Sequence, residues 1–500
     1  MKADASVDLL VVGGGIAGAA VLHEASRRGL KVLLVERDDF ASGTSSWSSK
    51  LIHGGMRYLK SGQWRMTRES VRERERLLDD RPGLVEPQPF LMPVYAADRP
   101  GPMALAAAFW IADRMAGRRT ARRIGAAEAA TIEPLLATDR LVAAIDYREG
   151  AVDDARLVLR LIFDAVDRGA RALNHVEATL IEEGGRVVGA RLVDRFHGGA
   201  AQEVRAVVTV HAAGLGVGVA PGAPLLRPLR GSHLVFAREA LPVRRGLAWL
   251  HPRDRRPVFA HPWEGAVVVG TTDIDQPRAD ATATISPAEC DYLVDGLRAV
   301  FPRLAIGASD ALATFSGLRA IVVAPGDENK PPSAMARDSA LWGRPGLVGI
   351  TGGKLTTHRA TALEVLAEAG KLGLRIAPAT DLRVAPAASR TLGRYGERGA
   401  AWIEARPAGE QRPLLGTPYT LAELRWSMRF EQVRRLGDLL MRRSRLGLVA
   451  PNGAMALLPQ LEAACREDLG WDAERWATES ARHRENWLLR HAPPVDNRRP

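Results

Sequence analysis

The stretch Asp8–Glu36, DLLVVGGGIAGAAVLHEASRRGLKVLLVE, constrains this chain more than any other. Four apolar residues, Leu9 to Val12, run into Gly13, Gly14, Gly15 and Gly18. A helical stretch follows, and a second apolar run, Val32 to Val35, ends at Glu36. The order is strand, glycine turn, helix, strand. Glycine is needed at three of these places: Gly13 for the tight turn, Gly15 so that backbone N–H groups can approach a pyrophosphate, Gly18 so that helix and sheet pack closely. An anion then rests on the helix N-terminus, beside Ile16 and Ala17, where unpaired N–H groups and the helix dipole favour negative charge. Glu36, followed by Arg37, closes the second strand, where a carboxylate can take both ribose hydroxyls. The competing reading is a structural turn that happens to be rich in glycine; both strands, the helix and the acid weigh against it. The stretch specifies a dinucleotide and leaves open FAD or NAD.

At 500 residues the chain can build two or three domains, each with its own core. With 46% hydrophobic and 25% charged residues, wholesale disorder is excluded. A net charge of +11 suits an anionic substrate, an anionic lipid surface or nucleic acid without choosing among them. Cys290 and Cys465 stand far apart in no metal-like spacing, so a disulfide framework, a metal cluster and CxxC chemistry are not expected. The start, MKADASVD, lacks the regions of a signal peptide, and the expected location is cytoplasmic. Met103–Ala112, MALAAAFWIA, is too short to span a bilayer; it reads first as a buried helix and second as an interfacial membrane helix.

Further along, 38–50 is polar and irregular, Trp64–Leu78 is a strongly charged helix, and Phe90–Tyr95 is a strand between prolines. Asp153 N-caps a helix to about Val166. The runs Arg171–Leu180, Val187–Asp194 and Val204–His211 extend the sheet begun at Asp8, whereas Leu234–Phe236, Val258–Phe259 and Ala266–Gly270 read as antiparallel strands. Ser286–Val300 is a helix with Pro287 in its first turn, and Leu347–Ile350 is a last buried strand leading into a helix to about Ala369. A linker at 376–390 precedes a helical region in which Thr420 and Glu423 form a capping box before a basic amphipathic stretch to Leu446. These readings give an α/β and α+β chain: a Rossmann-like nucleotide domain from 1–72, 146–226 and 335–378, an antiparallel-sheet substrate domain from 73–145 and 227–334, and a helical domain over 385–500.

Three further groups can carry chemistry. In Thr44, Ser45, Ser46, Ser49, Lys50, Leu51, His53, Gly54, Gly55, Arg57 and Tyr58, hydroxyls suit pyrophosphate oxygens and the glycines let backbone lie against a flat ring. In Gly352–Thr357, with Gly353, Lys354, Leu355 and Thr356, a helix N-terminus and a lysine can stabilise negative charge on a reduced flavin, by about 0.3–1 kcal/mol when exposed. The cations and imidazole are Arg57, His233, Arg319 and Arg337; singly, each is more simply a solvated arginine or a satisfied histidine, and Arg337 can pair with Asp338.

The runs SSKLIHGGMRYL, DDARLVL, RGSHLVF, HPWEGAVVVGTTD, TFSGLRA, ARD and GGKLTTHR, in this order between Val7 and Arg359, resemble the respiratory FAD-dependent glycerol-3-phosphate dehydrogenase family, within the D-amino-acid-oxidase-like flavoproteins. Residues 421–449 resemble that family's C-terminal helical domain. The resemblance implies bound FAD, hydride transfer from C2 of sn-glycerol 3-phosphate to give dihydroxyacetone phosphate, and a quinone acceptor at an anionic membrane surface. It places Arg57, Tyr58, His233, Arg319, Arg337 and Lys354 in the substrate pocket. Arg319 and Arg337, with Arg57 close by, suit the phosphate because charge-assisted bidentate pairs give energy and orientation. His233 suits the base, since imidazole titrates near working pH, and Lys354 suits a developing alkoxide or the reduced flavin. Val176, Ala212 and Gly214 fall among the cofactor contacts. Two departures stand out: Ala212-Ala213-Gly214-Leu215-Gly216 replaces the family's Ala-Thr-Gly-Pro-Trp, and His358 stands where tyrosine is usual. An oxidase using oxygen is the alternative, and a flavin-dependent tRNA-modifying protein a remote one; nucleic-acid binding is not expected, because the aromatics at 421–446 read as core contacts with a solvated arginine face. A homodimer stays open.

Overall fold

The computed structural model describes residues 5–55, 62–219, 222–277, 283–324, 326, 335, 338–380 and 389–494. Arg57, Tyr58 and Arg337 lie outside the described residues, as does most of the expected linker.

Leu9, Leu10 and Val11 are fully buried, as are Leu33 and Leu34 to within one per cent. Both faces of these strands are covered, which is why they read as unbroken apolar runs rather than alternating ones. Ser6–Val12 pairs in parallel with Val32–Val35 on one side and with Gln202–His211 on the other. Arg171–Leu173 extends the sheet beyond Val32–Val35, and Leu347–Gly352 pairs in parallel with Gln202–His211. Ser339–Arg344 adds an antiparallel edge, and the hairpin Val176–Glu183/Arg186–Asp194 joins through Gln202–His211. The sheet thus draws on three separated segments, with Ile16–Ser26, Asp154–Asp167 and His358–Lys371 packed against it.

The second sheet has ten strands. Leu226–Ala237 lies at its functional end, antiparallel to both Ala266–Gly270 and Ala311–Val322. Leu51–Ile52, directly after the polar loop, joins the same sheet through Gly150 and Ala151. Thr44–Lys50 is therefore the bridge between the two sheets.

The helical region shares its apolar core with the second sheet: Val235, Trp263, Val268 and Phe315 are buried together with Leu424, Met428, Leu440, Leu446 and Trp487. Here the chain departs from its expected course. The capping box at Thr420 and Glu423 forms, but the helix it starts ends at Phe430 rather than Leu446. Gln432 has φ of 53°, which an α-helix does not tolerate, and the chain resumes in short helical pieces, Leu436–Asp438, Leu439–Arg443 and Leu446–Val449. The arginines are only in part a solvated face: Arg429 and Arg434 are exposed, but others are not. Arg443 and Arg445 are fully buried and Arg425 nearly so, because each meets a carboxylate: Arg443 meets Asp39, Arg445 meets Asp153 and Asp154, and Arg425 meets Asp468. Arg156 pairs with Glu431 through two hydrogen bonds of 2.8 and 3.0 Å, tying the nucleotide sheet to the helical region.

Met103–Ala112 lies within the helix Pro102–Ala116, but the expectation of a buried helix fails. Only Phe109, Ala112 and Asp113 are buried, while Met103 is 69% and Trp110 61% exposed. A ten-residue apolar run wraps right round a helix, and a single sheet face can cover only one side of it.

Several histidines are held neutral by burial. His491, on the last turn of the structure, packs on Trp47 with ring centroids 5.1 Å apart, its Nδ1 donates to the Thr314 carbonyl at 2.9 Å, and burial pushes its pKa down to about 4. His261 and His358 are pushed down to about 4 by burial as well. The unfolded chain takes up these protons near pH 6.5 and the folded chain only near 4, so stability falls as pH is lowered through this window. His491→Gln, which keeps a donor for the carbonyl, is expected to remove roughly 3 kcal/mol of that pH dependence between pH 6.5 and 4, measured as the difference in unfolding free energy from the parent protein.

Candidate active site

The glycine turn forms as its sequence requires. Gly13 has φ of 113°, and a Cβ there would stand 2.5 Å from the Ala212 carbonyl oxygen; at Gly18 it would stand 1.9 Å from the carbonyl oxygen of Gly13. Both positions exclude any side chain. Glu36 accepts from Gly14 N at 2.6 Å through one oxygen and from Asp38 N at 2.9 Å through the other. Burial raises its carboxyl pKa, which these backbone bonds oppose. An ionised carboxylate has about four acceptor positions, so two remain for ribose hydroxyls. Val176 N donates to the Glu36 carbonyl at 2.8 Å and so fixes the end of that strand. Arg37 points outward, its Nε 3.4 Å from Asp38.

At the helix N-terminus, Ile16 N donates to Ser45 Oγ at 2.9 Å, and the space at Gly15 is bounded by that hydroxyl at 3.2 Å. Ala17 follows in the first turn, and Gly214, with φ of 57°, opens the turn after Gln202–His211 on the other side. Glycines that a Cβ would fill, a helix start whose donor reaches a hydroxyl, and a buried carboxylate at the second strand together fit a dinucleotide. The residues present are those FAD needs along its adenosine and pyrophosphate.

The polar loop then crosses to the second sheet. Thr44 Oγ1 donates to the Leu318 carbonyl at 2.6 Å. Gly317 lies directly beneath: a Cβ there would come within 2.3 Å of the Trp47 carbonyl oxygen, so the loop rests on bare backbone. At Gly231, its cross-strand partner, a Cβ would stand 2.2 Å from Arg319 Nη2 and would displace that guanidinium rather than backbone. These two glycines are what the runs RGSH and SGLR encode: one lets the loop down, the other lets a guanidinium lie across the sheet.

Arg319 donates to Asp273 Oδ1 at 3.0 Å, to the Thr272 carbonyl at 3.3 Å and to Thr271 Oγ1 at 3.1 Å. His233 lies on the neighbouring strand, opposite Phe315, and stacks on it with centroids 4.4 Å apart and ring planes 9° apart. Its Nε2 is 3.0 Å from Ser49 Oγ, and its Nδ1 is buried without a hydrogen-bond partner. Burial, then the charges of Arg319 and Lys50, hold its pKa well below the ordinary imidazole value, so the ring is neutral at pH 7. Thr44, Ser49, His233 and Arg319, drawn from separate motifs, thus come together on one end of the sheet.

Lys354 sits in the turn Gly352–Thr357, its Nζ 4.0 Å from Asp338. Gly352 and Gly353 have φ of 74° and 91°, so the turn unwinds before the helix starts at His358, beyond Lys354 rather than at it. A Cβ on Gly352 would be 3.4 Å from the Ala320 carbonyl oxygen, next to Arg319, which places this turn against the strand that carries the arginine. His358, in the tyrosine's place, donates from Nδ1 to the Leu355 carbonyl at 2.8 Å and secures the turn, and Thr356 is buried behind it.

Other predicted contacts face elsewhere. The Lys50 ammonium is fully buried, 2.9 Å from Asp154, away from the glycine turn. Ser46 is buried too, its hydroxyl donating to the Ala41 carbonyl at 2.7 Å. Leu51 packs with Phe90 and Tyr147, and His53 leads into Gly54, whose N–H donates to Glu149 at 3.0 Å, with Gly55 at φ of 71°. Sequence reasoning missed Asp154, Glu149, Arg74 and Glu289. Glu149 and Arg74 carry no sequence signal but their charge, whereas Asp154 lies in the DDARLVL run and Glu289 stands three residues after Ser286, in capping-box spacing. Glu289 gathers Ser232, Thr272 and Arg230 behind the site. Asp39, His175 and Asp438 also converge at metal-like distances, but Arg442 and Arg443 pair with the carboxylates, as ion pairs do.

Residues 8–368 match the FAD dependent oxidoreductase family, and residues 367–476 match the C-terminal domain of alpha-glycerophosphate oxidase. The chain is therefore an FAD-dependent oxidoreductase with an added helical domain. The aerobic glycerol-3-phosphate dehydrogenase of Staphylococcus saprophyticus is 32% identical over 73% of this chain and 67% of its own length. The probable mitochondrial glycerol-3-phosphate dehydrogenase of Caenorhabditis elegans is 31% identical over 95% of this chain and 72% of its own. The crystal structure of glycerol-3-phosphate dehydrogenase from Bacillus halodurans, complexed with FAD, superposes with a TM-score of 0.73 at 26% identity, covering 97% of this chain and 94% of that one. The chain belongs to the FAD-dependent glycerol-3-phosphate dehydrogenase family.

Glu36→Gln keeps the shape but removes the charge that accepts from the ribose. FAD affinity is expected to fall about 10- to 100-fold, the worth of one hydrogen bond to a charged group, in a titration of the apoprotein with FAD. An unchanged dissociation constant excludes Glu36 from the cofactor site.

Proposed function

We propose that the chain oxidises sn-glycerol 3-phosphate to dihydroxyacetone phosphate and passes the electrons to a membrane quinone. The observation that carries the reading is that the Arg319 guanidinium lies over Gly231, two residues from His233 on the neighbouring strand, beneath the loop that leads from the glycine turn. Bound FAD supplies the acceptor for a hydride from C2. The chain's own residues do the rest. Arg319 is already forked towards oxygen acceptors, and a phosphate dianion can replace the Asp273 carboxylate as its partner, with Arg57 and Arg337 completing the anion site. His233 takes the hydroxyl proton, and Lys354 steadies the oxygen that loses it; Tyr58 belongs to the same pocket by the family resemblance.

A neutral imidazole is the form a base requires, and its lowered pKa keeps it in that form below the ordinary value near 6.5. The acid limb of the flavin-reduction rate, corrected for ionisation of the substrate phosphate, is therefore expected below pH 6.5. His233→Ala is expected to slow reduction by about 10²–10⁴-fold. Glycerol, which strands at least two arginine contacts worth ~1.5–3 kcal/mol each, is expected to reduce the flavin roughly 10²–10⁴-fold less efficiently than glycerol 3-phosphate. Equal reduction by both removes the phosphate assignment. Stoichiometric peroxide during turnover would make the chain an oxidase instead.

The helix Pro102–Ala116 supports the membrane part of this reading. Its outer face shows Met103 and Trp110, with Arg114 over the Trp110 ring at 5.5 Å. A cleft of about 590 Å³ beside it is lined by Phe109, Ile145, Arg118, Arg119, Arg122 and Arg123. An apolar helix face edged with arginine suits the boundary of an anionic bilayer, on which the protein would lie peripherally at the cytoplasmic face. None of the helices among the described residues is long and apolar enough to cross a membrane. The protein is expected to sediment with anionic liposomes and not neutral ones, and Trp110→Asp with Arg119→Glu to abolish this; sedimentation unaffected by both changes moves the contact elsewhere.

A further inference from the structure

Beneath the active-site loop lies a buried cluster of charges whose members come from three distant parts of the chain. Asp153 and Asp154 open the helix Asp154–Asp167; Lys50 ends the loop; Arg445 comes from the helical domain. Their side chains are wholly buried. Arg445 Nε donates to Asp153 Oδ1 at 2.9 Å, its Nη2 donates to Asp154 Oδ1, and its Nη1 reaches the Ser46 carbonyl at 3.3 Å. Asp154 in turn accepts from Lys50 Nζ at 2.9 Å and, through Oδ2, from Ser48 N at 2.9 Å and Ser48 Oγ at 2.7 Å.

Ser48 and Lys50 flank Ser49, the residue whose hydroxyl contacts His233 Nε2 at 3.0 Å and whose carbonyl accepts from His261 Nε2 at 3.1 Å. Asp154 therefore grips the loop on both sides of the residue whose hydroxyl meets the imidazole, and Arg445 holds Asp154 from the opposite direction. Two adjacent buried carboxylates need a cation on each. Arg394 lies 3.7 Å from Asp153, so without Arg445 Asp153 keeps a cation, whereas Asp154 loses the guanidinium that holds it from the helical domain and rests on Lys50 and the Ser48 donors alone.

We infer that Arg445 is a positioning residue for the oxidation: through Asp154 it sets the Ser48–Lys50 segment and so the Ser49–His233 pair, making the helical domain a working part of the active site. The inference rests on the reading of His233 as base. It predicts an effect on the rate of reaction with little effect on substrate affinity, since Arg319 is anchored through Asp273, Thr272 and Thr271, outside this chain of contacts.

The test uses the FAD-loaded protein with Ser48→Ala, which removes one hydrogen bond and leaves every charge paired, and with Arg445→Lys, which keeps the charge and loses the fork. Flavin reduction by glycerol 3-phosphate is followed under anaerobic rapid mixing, to separate the limiting rate from the dissociation constant; amide exchange over 44–52 is followed by mass spectrometry. Displacements short of 1 Å at a reacting pair cost up to about 100-fold. The expected result for Ser48→Ala is a limiting rate about tenfold lower, a dissociation constant changed less than about threefold, and faster exchange in the loop. Arg445→Lys should fall further in the same direction. Ser48→Ala protein that holds FAD and reduces at the parent rate overturns the inference, as does a rate loss matched by an equal loss of affinity. If His233→Ala also reduces at the parent rate, the base reading fails on its own account; if His233→Ala is slow while Ser48→Ala is not, only the positioning role fails.

Discussion

The adjacent carboxylates Asp153 and Asp154 are the constraint on which the arrangement of this protein turns. Burying an ion costs several kcal/mol even after relaxation, so two neighbouring carboxylates persist in the interior only where cations and donors converge on them. Here the convergence joins a turn at 445 to a loop ending at residue 50 and a helix from 153, which strand pairing already brings together. Asp153 serves twice, since it also accepts from Arg156 N at 3.2 Å as the helix cap, and Tyr419 and Arg394 approach it from the helical domain. Its carboxyl is held far below the usual range by these cations in spite of burial. The same device recurs at Arg156–Glu431 and at Asp39 with Arg442 and Arg443, so the helical domain is fastened to the nucleotide sheet by charge and to the second sheet by apolar packing.

Local features of this fold are legible in the sequence because each rests on a few neighbouring residues. The glycine turn, the parallel strands around it, the caps at Asp153, Ser286 and Thr420, and the strand–turn–helix at 347–371 follow from backbone requirements that only certain residues meet. The arginines at 425, 443 and 445 are misread from helical spacing because such spacing describes a helix face, and the helix stops at Phe430. The carboxylates that bury them lie 404 residues away for Arg443 and 292 for Arg445, separations that no periodicity reports. Likewise, Met103–Ala112 carries the right element and the wrong burial, since composition gives a helix its apolar character without saying how much of its surface a sheet can cover.

The candidate site combines a neutral imidazole with a concentrated positive field. Those properties conflict over distance: guanidinium and ammonium groups near an imidazole depress its basicity. The structure reconciles them by orientation. Arg319 is turned along the sheet towards Asp273, and Lys50 is turned away into the buried cluster, so neither donates to the ring. The ring instead meets a hydroxyl and an aromatic face, which neither carry charge nor demand it.

Gly231 and Gly317 face each other across the two central strands, and their vacant sides accommodate different tenants: the Arg319 guanidinium over one, the Trp47 carbonyl over the other. The pair acts as a spacer of fixed thickness between the sheet and what lies on it. A side chain at either position would lift one tenant, and because Thr44 and Arg319 are borne on or bonded to the same strand, the other would shift with it. The loop and the strand that bears Arg319 are therefore set at one height, and the sheet beneath them is a gauge that the chain is not free to reset.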